Sequence, residues 1–259
     1  MGQRSKIDWC DSSWNPVTGC LHGCEYCYAR RMAERFGGCD PESAAKARRL
    51  DGGLMELDEP ARITWAFSGK TGWASFPFGF TPTLHRYKLG ELAHWKKPRT
   101  IFVGSIADLF GAWVPEAWIE GVFEACKAAP WHRYLFLTKN PGRLHDLARR
   151  QALPRGEHFW YGSTTTKPDA PFFYSDVHNT FVSIEPIQER FGNWGPARGQ
   201  LPGWIIIGAE TGSRREQIIP EKAWVAEIAG QARENGIPVF MKESLRGIMG
   251  EEFRQEFPW

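Results

Sequence analysis

Three cysteines in one short run carry the most specific chemical signal in the sequence. Cys20, Cys24 and Cys27 are separated by three and two residues in "GCLHGCEYC". Structural zinc sites use four protein ligands, but no second cysteine pair follows, and His22 is too close in sequence to be a good fourth ligand. Iron–sulfur clusters are also held by thiolates, normally four. A cluster held by only three would leave one iron open to an external ligand. The alternative is three structural cysteines at a chance spacing.

Short apolar runs along the chain predict the strands that must position these residues. They are rich in β-branched and aromatic residues and are bounded by glycine, proline or polar residues. The predicted strands span 99–105, 133–139, 158–164, 179–186, 203–212 and 237–244, with 6–10 as a shorter candidate before the cysteines. Such nearly continuous apolar runs are typical of strands covered on both faces, hence of a parallel sheet.

Helical periodicity between these runs indicates an α/β fold. The segments 115–129, 141–151 and 220–236 repeat apolar residues at helical spacing, and alternating strands and helices favour βαβ units. Six or seven strands fit either an open, partial barrel or a doubly wound sheet. We predict one domain over residues 1–259, because no convincing linker is present.

An irregular insertion at about 40–82 interrupts this alternation. Long loops in compact domains are often functional, so the insertion is a candidate lid. The alternative is an ordinary loop that packs its aromatic side chains against the barrel. Those side chains are Trp65, Phe67, Trp73, Phe76, Phe78 and Phe80.

Polar residues follow each predicted strand. Ligands of parallel α/β proteins bind beyond the carboxyl ends of the strands, so we expect this set to converge on a site, although polar loops and helix caps are the simpler explanation for any single member. Glu185 and Lys242 directly follow apolar runs, where a charge needs a partner or a ligand. The candidates are Ser105, Asp108, Thr138, Lys139, Ser163, Ser183, Glu185, Glu210 and Lys242.

Composition limits the setting of this chemistry. The net charge of +2 neither requires nor excludes a nucleic-acid partner,. No apolar run reaches the roughly 18 residues that span a bilayer, and the first residues lack the apolar stretch of a signal peptide. We therefore expect a cytoplasmic protein without membrane association, in which cysteines are ligands or free thiols rather than disulfides.

The cysteine spacing, with Tyr26 before the last cysteine, resembles the signature of the radical S-adenosylmethionine (SAM) superfamily. The blocks "WNPVTGC", "IFVGSIADLF", "LFLTKNPGRL", "FVSIEPI", "GWIIIGAETG" and "PVFMKES" together resemble a phage- and prophage-associated group of radical-SAM-like proteins, distantly similar to spore photoproduct lyase. The resemblance implies a partial (β/α)6 TIM-like barrel. It also implies a [4Fe–4S] cluster on Cys20, Cys24 and Cys27, with SAM bound at the open iron and cleaved to a 5′-deoxyadenosyl radical that abstracts hydrogen from the substrate.

The resemblance also implies roles for the strand-end residues. Gly104, Ser105 and Asp108 match loosely the Gly-Gly-Glu-like stretch that contacts the SAM amino group. Gly208 would let an adenine ring approach the backbone closely. Ribose, carboxylate and adenine contacts are expected from Tyr26, Thr138, Lys139, Ser163, Ser183 and Glu185.

Three further residues are the candidate catalytic groups. Glu210 and Lys242 would bind substrate or transfer protons, and the lysine could instead clamp the SAM carboxylate or a phosphate. Cys10 would donate a hydrogen atom to a product radical, although a lone cysteine is more often a small buried residue.

The implied partners are an electron donor such as flavodoxin or ferredoxin and, as substrate, a base in DNA that is modified or repaired. Basic runs interleaved with tryptophan fit a nucleic-acid backbone and stacked bases. Two alternatives remain: an amino acid or other small molecule as substrate, and a non-catalytic nucleic-acid-binding protein stabilised by an iron–sulfur cluster or zinc.

Overall fold

A computed structural model describes residues 5–65, 68–195, 199, 201–212 and 216–259. The strands are β1 (Ser12–Trp14), β2 (Val17–Thr18), β3 (Arg48–Arg49), β4 (Met55–Leu57), β5 (Arg62–Thr64), β6 (Thr71–Trp73), β7 (Thr83–His85), β8 (Thr100–Val103), β9 (Arg133–Thr138), β10 (Phe159–Thr165), β11 (Asn179–Ile184), β12 (Trp204–Ile207) and β13 (Val239–Met241). The α-helices are α1 (Tyr28–Phe36), α2 (Pro41–Ala45), α3 (Glu116–Lys127), α4 (Pro141–Arg149), α5 (Lys222–Glu234) and α6 (Arg246–Met249).

The main sheet has seven strands in the order β1, β8, β9, β10, β11, β12, β13. The pairs β1–β8, β10–β11, β11–β12 and β12–β13 are parallel. Strand order across the sheet thus follows chain order, whereas a doubly wound sheet reverses its order at a switch point. The predicted fold class is confirmed: an α/β protein with the parallel strands of a partial (β/α)6 TIM-like barrel.

Six of the seven predicted strand segments contain a strand, and the seventh, 6–10, is wrong. The Ser5 hydroxyl accepts a hydrogen bond from the Ile7 N–H at 3.0 Å, and the Cys10 N–H donates to the Ile7 carbonyl at 3.4 Å. These contacts make a turn, and the first strand starts only at Ser12. Cys10 therefore lies in a turn before the first strand rather than within it.

The chain forms two compact units, Ser12–Tyr134 and Ser5–Asp11 with Leu135–Trp259. In the first unit, the insertion is more regular than the sequence indicated. It supplies α2, the hairpin β5–β6, and two strands, β3 and β4, of a four-stranded sheet. The strand order of that sheet is β2, β7, β4, β3, and β2 and β7 come from the flanking chain. Its role as a lid stays a prediction.

The aromatic side chains of the insertion divide between packing and exposure. Trp65 and Phe78 pack against the small apolar cluster around Leu57 and Ile63. Phe76 is buried against α1, with Phe80 beside it, whereas Trp73 is exposed. Phe67 lies outside the described residues.

In the second unit, β11, β12 and β13 pack one face against α5. Ile184, Ile207 and Met241 belong to an apolar cluster with Val225 and Ile228 of that helix. Because side chains alternate along a strand, the residues immediately after these three face the opposite side of the sheet.

Candidate functional site

The cysteine loop connects β2 to α1, and its three thiols are free and half-buried. Cys27 is the N-cap residue of α1, and its Sγ accepts a hydrogen bond from the Arg30 N–H at 3.4 Å. The Cys27 N–H in turn donates to the Cys24 carbonyl at 3.2 Å. A helix N-terminus carries backbone N–H groups without intrahelical partners and favours a negatively charged ligand.

The Cys20 thiol lies in a partly buried environment. Burial raises the pKa of the Cys20 thiol to about 12, a hydrogen bond from the His22 backbone opposes the rise, and Asp108, Cys24 and Cys27 add to it. Cys20 is thus a neutral thiol at pH 7 when nothing is bound, which disfavours a role as a free nucleophile. The influence of the other two cysteines places the three thiols in one electrostatic neighbourhood.

The three thiols are the right ligand type for an iron–sulfur cluster, but they are not arranged around a common metal position. Across the described ranges, no group of three or more His, Cys, Asp or Glu side chains is arranged to hold a metal ion. Three free thiols on one loop nevertheless match the ligand type of an iron–sulfur cluster,. Binding would require the thiols to lose protons and to close up around the metal.

Gly19 fixes the start of the loop, because no other residue fits there. Its φ is +83°, and an added Cβ would lie 2.4 Å from the Thr81 carbonyl oxygen and 2.6 Å from that of Phe80. The next residue, Cys20, donates its N–H to the same Phe80 carbonyl at 3.2 Å. The backbone before the first cysteine is therefore packed directly on the insertion.

The loop after β8 braces the cysteine loop. The Gly19 N–H donates to the Ile106 carbonyl at 3.2 Å. The Ser105 hydroxyl donates to Asn15 Oδ1 at 3.1 Å, and the Tyr28 hydroxyl donates to the Ser105 carbonyl at 2.5 Å. Ser105 was predicted as a SAM contact, and the structure gives it this bracing position. Asn15 was missed, and its only sequence signal is the Asn-Pro pair before the first cysteine.

A His–Asp pair makes a further brace. His22 Nε2 lies 2.7 Å from Asp108 Oδ2, and the other oxygen of Asp108 accepts from the Phe110 N–H at 3.0 Å. The His22 ring also meets the ring of Trp113 edge-on, with centroids 4.8 Å apart. The sequence analysis weighed His22 only as a poor zinc ligand. Its bracing role was missed because Asp108 is 86 residues away along the chain.

Gly104 and Asp108 lie in the segment that follows β8. Gly104 has a φ of +78° and donates its N–H to the Trp14 carbonyl at 2.9 Å. Both Asp108 oxygens are engaged within this unit, so contact with the SAM amino group stays a prediction. Tyr26 is half-buried in the turn between Cys24 and Cys27.

In the second unit, Glu185, Gly208 and Lys242 lie side by side at the ends of three adjacent strands. Lys242 forms an ion pair with Glu185. A Cβ on Gly208 would lie 2.8 Å from Lys242 Cδ and 3.4 Å from Glu185 Cδ. Gly208 thus leaves room for the ion pair, which explains how two charges follow directly after apolar strands. Access of a flat ring to Gly208 stays a prediction.

The predicted hydroxyl residues differ in what they bond to. Ser163 Oγ accepts from the Phe173 N–H at 2.8 Å, and Thr138 Oγ1 accepts from the Asn140 N–H at 2.9 Å, so both hold the loops that follow their strands. Ser183 Oγ is buried and has no hydrogen-bond partner among the described residues. A buried hydroxyl without a partner is a candidate ligand contact.

The remaining candidates show less. Glu210 is buried, and its backbone carbonyl accepts from the Gln217 side-chain amide. Lys139 is half-buried. The Cys10 thiol donates to the Ile7 carbonyl at 3.8 Å. The roles predicted for these three residues remain predictions.

A family model described as "Protein of unknown function (DUF5131)" matches residues 4–251. The chain belongs to this family. No curated protein matches the sequence. Among solved structures, the chain is similar to spore photoproduct lyase complexed with dinucleoside spore photoproduct, with a TM-score of 0.50 and 10% sequence identity. The match covers 93% of this chain and 79% of that chain. At this identity the likeness shows a shared fold.

This DUF5131 member thus has two groups of candidate functional residues, one in each compact unit. The first unit holds a braced loop of three thiols, and the second holds an ion pair and a buried hydroxyl at its strand ends. Within the described part of the chain, no helix has the length and apolar character needed to cross a membrane.

Proposed function

We propose that the chain is a radical SAM enzyme that acts on a nucleic-acid base. Cys20, Cys24 and Cys27 would hold a [4Fe–4S] cluster, which when bound supplies the electron that cleaves SAM reductively to a 5′-deoxyadenosyl radical for hydrogen abstraction. The observation that carries the proposal is the braced loop with three free thiols, the last of which is the N-cap residue of α1.

The chain's own residues would prepare this site in two ways. The contacts of Ser105 and Asp108 with the cysteine loop limit its movement, and ligand positions fixed in advance by neighbouring hydrogen bonds favour metal binding. The partial burial of Cys20 would reduce the access of water to a reactive carbon radical,.

Residues of the second unit would bind the organic molecules. The Lys242 ammonium is a point charge suited to a carboxylate or phosphate, and its pairing with Glu185 holds it in place until a ligand competes. The Ser183 hydroxyl, which has no hydrogen-bond partner in the part of the chain that the structure describes, would satisfy a ribose or base group. Glu210 would serve as a proton donor or acceptor, and Cys10 as a hydrogen-atom donor.

The choice of a nucleic-acid base over a small molecule is supported by the solved neighbour. That protein was captured with a dinucleoside photoproduct. Exposed basic and aromatic side chains suit a phosphate backbone and a stacked base. An example is Arg62, whose Cζ lies 5.7 Å from the centre of the Trp73 ring. We therefore place DNA modification or repair first, in a host cytoplasm if the gene is carried by a phage.

The test is anaerobic reconstitution with iron and sulfide, followed by assay of 5′-deoxyadenosine release from SAM under reductant, with and without DNA. Wild-type protein should be brown and release 5′-deoxyadenosine, and DNA should raise the release in a manner lost at high salt. Cys24→Ala should lose both the visible spectrum and the release.

Cys39→Ala is the matched control, because Cys39 is also a half-buried free thiol but packs against the apolar cluster of the insertion. It should keep both properties. A Cys24→Ala protein with an unchanged spectrum contradicts the ligand assignment. Turnover that ignores DNA favours a small-molecule substrate, and a colourless protein with one tightly bound zinc favours a non-catalytic role.

A further inference from the structure

Helix α1 presents an unusual outer face. Tyr28, Met32 and Phe36 recur every four residues, so they lie along one stripe of the helix, and each is exposed by more than two-fifths: 48%, 42% and 41%. Ala29 and Ala33, the next positions around the helix beside this stripe, are buried. Three large apolar side chains in a row on solvent are a feature of surfaces that bind another molecule.

A row of positive charge runs beside the apolar stripe. Arg31 and Arg35 are exposed, and their helical positions place them next to Tyr28 and Met32,. The Arg35 guanidinium lies 4.9 Å from the centre of the Phe36 ring. The helix carries three arginines and one glutamate, so its net charge is positive. We define the α1 face as Tyr28, Arg31, Met32, Arg35 and Phe36.

The α1 face begins at the cysteine loop. Cys27 is the N-cap of the helix and Tyr28 its first residue. Leu21, which follows Cys20, is also exposed, at 53%. An electron delivered to this face would therefore arrive next to the thiols.

The chemistry of the face favours a protein over a nucleic acid. Tyrosine, phenylalanine, methionine and arginine are the residue types enriched in protein–protein interfaces. Stacking on bases uses aromatic rings and closely spaced cations, whereas Met32, in the middle of the apolar stripe, is aliphatic and offers no ring. The positive row selects an acidic partner.

We propose that the α1 face is the docking surface for an acidic protein that carries a low-potential one-electron cofactor. This inference rests on the proposed function, because only a reductive cleavage needs such a donor. The donor loses one electron and the cluster gains it, and no covalent bond forms or breaks on the α1 face.

The test measures binding of an acidic flavodoxin, and separately of an acidic ferredoxin, to full-length reconstituted protein at low salt. The double variant Arg31→Glu/Arg35→Glu should raise the Kd of the better-binding donor at least about tenfold, because it opposes like charges. Met32→Ser should weaken binding by about threefold or more without changing charge. Lys96→Glu/Lys97→Glu, an equal charge change at exposed lysines, should stay within about twofold of wild type.

Each outcome decides. Equal effects of the two double variants, or no binding of either donor, overturns the proposal. If Arg31→Glu/Arg35→Glu weakens binding of a single-stranded oligonucleotide but leaves donor binding unchanged, the α1 face is a nucleic-acid surface and the proposal is overturned. The visible spectrum separates the two hypotheses: its absence refutes the cluster, whereas an intact spectrum with unaltered donor affinity refutes only the docking surface.

Discussion

Gly19→Ala is the best-defined perturbation of the cysteine loop. Gly19 has a φ of +83°, and the new Cβ would lie 2.4 Å from the Thr81 carbonyl oxygen. The positive φ costs roughly 1 kcal/mol for alanine, and forcing backbone apart in a packed region costs about 1–3 kcal/mol more. We expect a total loss of about 2–4 kcal/mol in the free energy of unfolding.

Gly23→Ala is the control for this substitution, because it lies in the same loop. Its φ is +72°, but an added Cβ would have nothing within 4 Å. It should cost only the conformational term of roughly 1 kcal/mol. The difference between the two variants isolates the packing of the loop on Phe80 and Thr81.

Thermal unfolding followed by circular dichroism measures both variants. At about 2–4 °C per kcal/mol for a protein of this size, Gly19→Ala should lower the Tm by roughly 4–16 °C, and Gly23→Ala by roughly 2–4 °C. Gly19→Ala should also take up less iron on reconstitution. If Gly19→Ala is no less stable than Gly23→Ala, the loop is not held by the contact described.

Three further predictions concern stability and the strand ends. Burial lowers the pKa of His85 to about 3. As the pH falls below the unfolded-state pKa of about 6.5, the unfolded chain therefore binds a proton before the folded chain does, and the free energy of unfolding drops by up to about 1.4 kcal/mol per pH unit. In urea unfolding, His85→Gln should show a shallower drop with pH than wild type, and the same pH dependence in both proteins would contradict this. Glu56 is buried, forms ion pairs with Arg48 and Arg86, and accepts from Trp118 Nε1 at 2.6 Å. Glu56→Gln keeps an acceptor for Trp118 but removes the charge that the two arginines pair with, so it should cost about 2–4 kcal/mol in urea unfolding; a loss under about 0.5 kcal/mol would show that its charge is unimportant. Gly208→Ala would place Cβ 2.8 Å from Lys242 Cδ and should reduce 5′-deoxyadenosine release under conditions where the protein is still folded. Release that falls only where thermal unfolding shows loss of folded protein would indicate a purely structural role.

The strands could be predicted because burial on both faces leaves a direct mark on the sequence. The apolar runs around Phe181, Ile206 and Phe240 are each fully or almost fully buried. The run at 6–10 misled because it shares the apolar and aromatic composition of a strand, while its backbone is closed into a turn by the Ser5 hydroxyl.

The cysteine loop could be located from the sequence because its three thiols are adjacent in the chain, and their role as cluster ligands stays a prediction. The contacts that hold it could not, since His22 meets Asp108 across 86 residues and no local pattern encodes that distance. Gly208 is similar: its small size was noticed, but the ion pair that occupies the space above it depends on the register of three strands.

The central claim is that three thiolates hold an iron–sulfur cluster with one open iron. Iron and acid-labile sulfide analysis of anaerobically reconstituted protein, with electron paramagnetic resonance of the reduced form before and after addition of SAM, tests it most directly. We predict about four irons and four sulfides per chain and a signal that changes when SAM binds. A protein that retains no sulfide, or a cluster signal that SAM leaves unchanged, would contradict it.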